Sequence, residues 1–254
     1  KIGKTNMLVL KNVTKSFGGI MATEDISMKL KPGSINAIIG PNGAGKTTLF
    51  NLITGKIKSD TGNIFIENKN ITGLSEVEIT HLGIARAFQI TNIFPTFTVK
   101  ESIMAAILSK YSGLHNVWLR FKSHPVQEES ENVAKLTGLE KVLNIRGEEL
   151  SHGDQKLLDI ALALAMKPKI LLLDEPTAGM GPEERWKMIN KVKELWKKTK
   201  MTLVFIEHDM DIVFDVAQKV FVLQQGKILA EGLPKEIRKN QSVIDAYLGG
   251  GQKR

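Results

Sequence analysis

The sequence contains no cysteine. Disulfide staples and thiolate metal sites are therefore excluded, and the chain fits a reducing compartment. Aromatic residues are sparse, 6% of the total with three Trp and two Tyr, and they do not interleave with the lysines. The stacking platform of a single-stranded nucleic-acid binder is not a pattern the chain offers. Long apolar runs are missing as well. The most apolar region, LLDIALALAMKPKILLLD (157–174), is broken by Asp159, Lys167, Pro168 and Lys169. It reads as a buried helix followed by a buried strand, not as a membrane span. No secretory leader is visible in the sequence as it reads, Met7 is a candidate natural start, and no internal repeat is evident.

What is present is ordinary globular material: 254 residues, 42% hydrophobic and 24% charged, with a formal net charge of +8. That suits one large domain with a sizeable core. The excess lysines are scattered, so the charge reads as a solvated surface and not as an anion-binding stripe. Short alternating strands are expected at 7–13, 25–30 and 63–68. From about 98 to 166 the pattern is mainly helical. Thr98 and Glu101 form a capping-box pair ahead of one helix, 109–126 reads as irregular, and a further helix is expected over 128–139. From 169 onward strands and helices alternate. The strand runs at 170–173 and 202–206 are apolar throughout, as parallel strands covered on both faces are. The expected fold is an α/β core with an N-terminal antiparallel β layer and an inserted helical subdomain over about 90–166, the whole chain forming one nucleotide-binding domain.

Between the apolar run INAII (35–39) and the helix-like run LFNLIT (49–54) lies GPNGAGKTT (40–48). Gly40, Gly45, Lys46 and Thr47 match the phosphate-binding P-loop pattern in the right context, strand before and helix after. Successive backbone N–H groups of Gly40, Pro41, Asn42, Gly43, Ala44, Gly45, Lys46, Thr47 and Thr48 (proline excepted) then form a concavity at a helix N-terminus. In such a loop the lysine reaches the β- and γ-phosphates and the Thr47 hydroxyl faces Mg²⁺. ILLLDEP (170–176) supplies the acidic partner: Asp174 for the Mg²⁺ shell and Glu175 as general base for the attacking water.

With LSHGDQ (150–155) about twenty residues before LLLDEP, the chain resembles the ATP-binding cassette (ABC) ATPases, which belong to the P-loop NTPases with a RecA-like core. The resemblance spans nearly the whole chain. LSHGDQ is similar to that family's signature motif, Gln89 in ARAFQ to its Q-loop glutamine, His208 in FIEHD to its switch histidine, and Phe17 in VTKSFGG to its adenine-stacking aromatic. It implies ATP and Mg²⁺ as cofactors, with Thr47, Gln89 and Asp174 at the metal and Glu175, His208 and Gln89 at the reacting phosphate. It also implies that Ser151 and Gly153 act on the nucleotide of a second subunit in a head-to-tail dimer. Two departures stand out. His152 and Asp154 replace a glycine and the glutamine of the usual signature, and Gly181 stands where the family's D-loop has aspartate.

The set IARAFQ, LSHG, PTAGM, IEHDMDIV and the C-terminal stretch GKILAEGLPKEIRKNQSVIDAYLG resembles the ATPase subunits of importers for branched-chain amino acids, urea and amides. A similar ending occurs in the lipopolysaccharide-export ATPase, so an exporter stays open at this point. So does a soluble ABC ATPase acting on nucleic acid, although neither tandem cassettes nor a long coiled coil is present. The importer reading implies a second ATPase subunit, membrane permeases and, indirectly, an extracytoplasmic solute-binding protein, with the chain peripheral to the cytoplasmic membrane face and no nucleic-acid partner. Residues 89–126, with Ile90, Ile93, Phe94, Phe97 and Val99, are the expected permease-docking surface.

Overall fold

The computed structural model describes residues 6–87, 94–110 and 124–248. They form two compact units, one built from residues up to 82 together with 200 onward, the other from residues 83–199.

The first unit opens with a hairpin, β1 (Leu8–Phe17) and β2 (Ile20–Leu30). Both strands are longer than the sequence pattern suggests. Gly18 and Gly19, at φ 53° and 84°, make a two-residue turn that pairs Phe17 with Ile20. Two positive-φ residues give the turn the twist that paired strands need, so pairing continues to the tip. Strand β3 (Ile35–Ile39) is buried along its whole length and feeds helix α1 (Lys46–Ile53). Strand β4 (Thr61–Ile66) pairs with β1, and the short β5 (Lys69–Asn70) pairs with β4, giving an antiparallel sheet in the order β2-β1-β4-β5. Helix α2 (Glu76–His81) follows, closed by a reciprocal Ser75–Glu78 capping box.

The second unit contains the parallel pair β6 (Ile84–Ala87) and, much later, β7 (Ile170–Asp174). Between them, α3 (Val99–Ser109) starts at the expected Thr98–Glu101 capping box. Helix α4 (His124–Thr137) begins earlier than the sequence suggests, because Pro125 falls in its first turn, where a missing N–H is no loss. Helix α5 (His152–Ala165) is capped by Ser151 and packs against α3, α4 and β6. Helix α6 (Pro182–Thr199) buries Met188, Ile189, Val192 and Leu195 along one stripe and closes the unit.

The chain then returns to the first unit. Strand β8 (Thr202–Ile206) and β9 (Lys219–Gln224) flank β3 in parallel, with helix α7 (Met210–Val216) between them, and β10 (Lys227–Gly232) runs antiparallel to β9. Strands β3, β7 and β8 are buried at every residue, as two-sided cover requires. The sheets of this unit meet where β2 and β10 pack: Glu24 N–H donates to the Gly226 carbonyl at 2.7 Å, and Lys227 pairs with Glu24 at 2.9 Å. Two C-terminal helices, α8 (Pro234–Ile237) and α9 (Gln241–Leu248), finish the described chain.

Candidate nucleotide site

The P-loop leaves the buried end of β3 and enters α1 through Gly45, which is left-handed at φ 101°. No side chain caps this helix and no acidic residue sits in its first turn. The positive dipole end of the helix thus favours an anion there. The glycines at either end of the loop are dictated by close approach. A Cβ on Gly40 would stand 2.2 Å from the Leu223 carbonyl oxygen, and one on Gly45 would stand 2.2 Å from that of Ala22. Lys46 is buried, and its ammonium donates to the carbonyls of Gly40 at 2.7 Å and Pro41 at 3.0 Å. A buried cation held by two loop carbonyls fits an anionic ligand. Thr47 is exposed beside it and offers a hydroxyl, a hard oxygen donor of the kind Mg²⁺ prefers.

His208 belongs to the same edge. Register pairs Ile38 of β3 with Ile206 of β8, so Gly40 and His208, each two residues on, leave adjacent strands at matching carboxyl ends. That edge is where ligands bind in open α/β sheets. His208 is exposed between two anchors: its own N–H donates to the buried Glu207 carboxylate at 3.1 Å, and Asp209 caps α7. Phe17 lies at the hairpin tip, 48% exposed, with the Lys15 ammonium 5.4 Å from its ring centre. The Tyr247 hydroxyl, on α9, meets the Gly40 amide. Burial pushes its pKa up to about 12, against the lowering effect of that N–H.

In the second unit, Asp174 ends β7 and is buried, while Glu175 follows at φ 49°. A left-handed glutamate is strained, and such strain collects at functional sites. The peptide is held in place by Lys156 of α5, a buried lysine whose ammonium donates to the Glu175 carbonyl at 3.3 Å. Helix α5 and residue 175 therefore touch within one unit. Ser151 is exposed, accepts from the Asp154 N–H at 3.1 Å and donates to the Asp154 carboxylate at 2.8 Å. Its hydroxyl is occupied by the residue that departs from the usual signature. His152 lies against Gly179, and a cavity of about 200 Å³ opens beside Ser151, Gly153, Asp154, Met180 and Lys187.

Arg86 and Lys156 were not singled out by the sequence patterns. Arg86 forms an ion pair with Asp174, both side chains nearly fully buried. Removing one partner of such a pair costs about 3–5 kcal/mol. The signal was a lone arginine inside the short apolar strand IARA (84–87). Gln89, Ile90 and Ile93 lie outside the described residues. Of the remaining docking candidates, Phe94 and Phe97 are exposed and their rings stack at 5.0 Å. Val99 is corrected to core: it is fully buried in the first turn of α3.

Residues 23–178 match the family model described as ABC transporter, well over half of the chain. The chain belongs to the ABC transporter family. Residues 227–253 of the cassette match a second model, described as branched-chain amino acid ATP-binding cassette transporter. Among curated relatives, the high-affinity branched-chain amino acid transport ATP-binding protein LivG of Salmonella typhimurium (strain LT2) is 36% identical over 250 residues, 96% of this chain and 98% of its own. Among solved structures, a nucleotide-free ATP-binding cassette from an ABC transporter superposes with TM-score 0.84 at 33% identity, covering 95% of this chain and 98% of that one. A dimeric bacterial ABC transporter cassette superposes with TM-score 0.77 at 28% identity, covering 90% and 99%. The cassette is an ATP-binding, ATP-hydrolysing subunit with the P-loop NTPase fold, and its relatives and C-terminal match favour import over export or nucleic-acid work. Among the described residues no helix is long and apolar enough to cross a membrane.

Proposed function

We propose that the cassette powers uptake of branched-chain amino acids, working from the cytoplasmic membrane face on permease subunits that receive solute from an extracytoplasmic binding protein. The observation that carries this reading is the match of residues 227–253 to the branched-chain amino acid model, in a chain that keeps Lys46, Asp174, Glu175 and His208. The whole chain acts as one nucleotide-binding domain, with residues of about 90–166 as its helical subdomain.

In this reading the loop amides from Gly43 to Thr48 hold the ATP phosphates. Lys46 exchanges its two carbonyl partners for phosphate oxygens. Phe17 stacks on the base through its exposed face. The donors present, a hydroxyl on Thr47 and carboxylate oxygen on Asp174, suit Mg²⁺, with the Gln89 amide as a third ligand. Bound there, Mg²⁺ neutralises charge on the phosphates. Glu175 takes the proton of the attacking water, and His208 hydrogen-bonds the γ-phosphate. Ser151 and Gly153 complete the nucleotide site of a second ATPase subunit, either a copy of this chain or a related one.

The signature departure sets one expectation. Closure requires the Ser151 hydroxyl to leave Asp154, whose charge also opposes a triphosphate. Asp154→Gln in a Glu175→Gln background therefore tightens the ATP-dependent dimer, by about tenfold for one removed charge in a partly screened site. Sedimentation velocity reads it, and an unchanged or weaker dimer contradicts the role given to Asp154.

The function itself is tested by co-purification from native membranes and leucine uptake. Permeases carried along by the cassette support it, and a cassette that never brings a membrane protein with it does not. Phe94→Glu places a charge on the exposed Phe94–Phe97 pair. It abolishes co-purification and leaves hydrolysis by the isolated cassette unchanged. Loss of hydrolysis and folding together would show that the pair is core.

A further inference from the structure

We infer that Arg86 holds the Asp174 carboxylate in the metal-free cassette and must release it when the divalent cation loads, so that Arg86 sets the strength of metal binding as a positioning residue. The inference rests on Asp174 serving the metal, as proposed above. Its geometry comes from the strand pair. Register places Arg86 of β6 beside Leu172 of β7, and Leu172 and Asp174 point to one face because alternate residues of a strand do. An arginine at that register reaches along the strand to the carboxyl edge, where its guanidinium meets the Asp174 carboxylate.

Both side chains are nearly dry, with relative exposures of 8% and 2%. A carboxylate that buried needs a positive neighbour to stay charged. Arg86 supplies one without metal, and a divalent cation supplies a stronger one. The two compete: a guanidinium and a dication on one carboxylate repel each other across a weakly screening interior. The cavity beside Asp174, lined by Ala87, Lys156, Asp159 and Pro176, is about 10 Å³, room for about one water.

The test measures nucleotide affinity, not turnover. ADP binding is followed by calorimetry in EDTA and in Mg²⁺, and the ratio of the two dissociation constants gives the contribution of the metal. Arg86→Gln raises this ratio by about tenfold, the scale of one removed unit charge. Arg86→Lys, with a single-point contact in place of a planar fork, raises it by a smaller factor. Thermal melts establish that each variant is folded. If Arg86→Gln fails to fold, Arg86→Lys carries the test alone. A ratio that is unchanged or lowered in a folded Arg86 variant overturns the inference, because the pair would then be a fold contact or a support for the metal. Asp174→Asn is the separate control. Its ratio falls towards one if Asp174 serves the metal, and a wild-type ratio there overturns that assignment.

Discussion

Glu175→Gln lowers ATP turnover about a thousandfold, within the range that general-base removal produces, and leaves ATP affinity near that of the wild type. The substitution keeps the side-chain shape and removes the proton acceptor. The backbone around it does not depend on the carboxylate. Residue 175 is held at φ 49° through its own carbonyl, to which Lys156 donates at 3.3 Å. The proposed phosphate loop is a different stretch of the chain, between β3 and α1. Phosphate release measures the first effect and calorimetry with ATP the second. If the variant kept more than about a tenth of the activity, another group would be the base.

Lys46→Ala acts earlier, on binding itself. The buried ammonium donates to the Gly40 and Pro41 carbonyls, and the proposed role places it on phosphate. Each charge-assisted hydrogen bond contributes about 1.5–3 kcal/mol. Loss of two such bonds corresponds to an affinity loss on the order of 10²–10⁴-fold. Turnover falls with it. Calorimetry with ATP reads the change, and a melting curve separates loss of binding from loss of fold. An affinity within about tenfold of wild type would mean that loop amides alone hold the nucleotide.

The parts of this site that could be read from the chain are those fixed by local chemistry. GPNGAGKTT states its own conformation, because Gly40 and Gly45 stand where a Cβ would strike a neighbouring carbonyl oxygen. The uninterrupted apolar runs of β7 and β8 announce strands covered on both faces. Thr98 and Glu101 declare the start of α3. The same chemistry at Ser75 and Glu78 starts α2, but only six residues follow and no apolar stripe marks them in the sequence. The β1–β2 hairpin runs beyond its alternating segments because Gly18 and Gly19, which resemble a strand end in sequence, form its tight turn.

What the chain did not disclose depends on register between distant strands. Arg86 and Asp174 are 88 residues apart in sequence, and they meet because β6 and β7 pair in one particular alignment. The Lys156 contact likewise requires α5 to return against the end of β7. Val99 turns inward for a related reason. It follows Pro95 and two exposed phenylalanines, yet one turn of helix rotates it into the core. The occupation of Ser151 by Asp154 is short-range, three residues along one helix start, and could have been foreseen from capping chemistry alone.

Two ATPase subunits, either copies of this chain or this chain and a related one, are proposed to share two ATP molecules, the Ser151–Gly153 segment of this chain facing the nucleotide held by the other. Sedimentation velocity of the Glu175→Gln protein with ATP and with ADP tests it most directly, because ATP then binds and persists. Monomer is expected with ADP, and with ATP a second species of twice the mass that disappears when Ser151→Ala is added to Glu175→Gln. A protein that stays monomeric with saturating ATP at high concentration, or one that is equally dimeric with ADP, would contradict it.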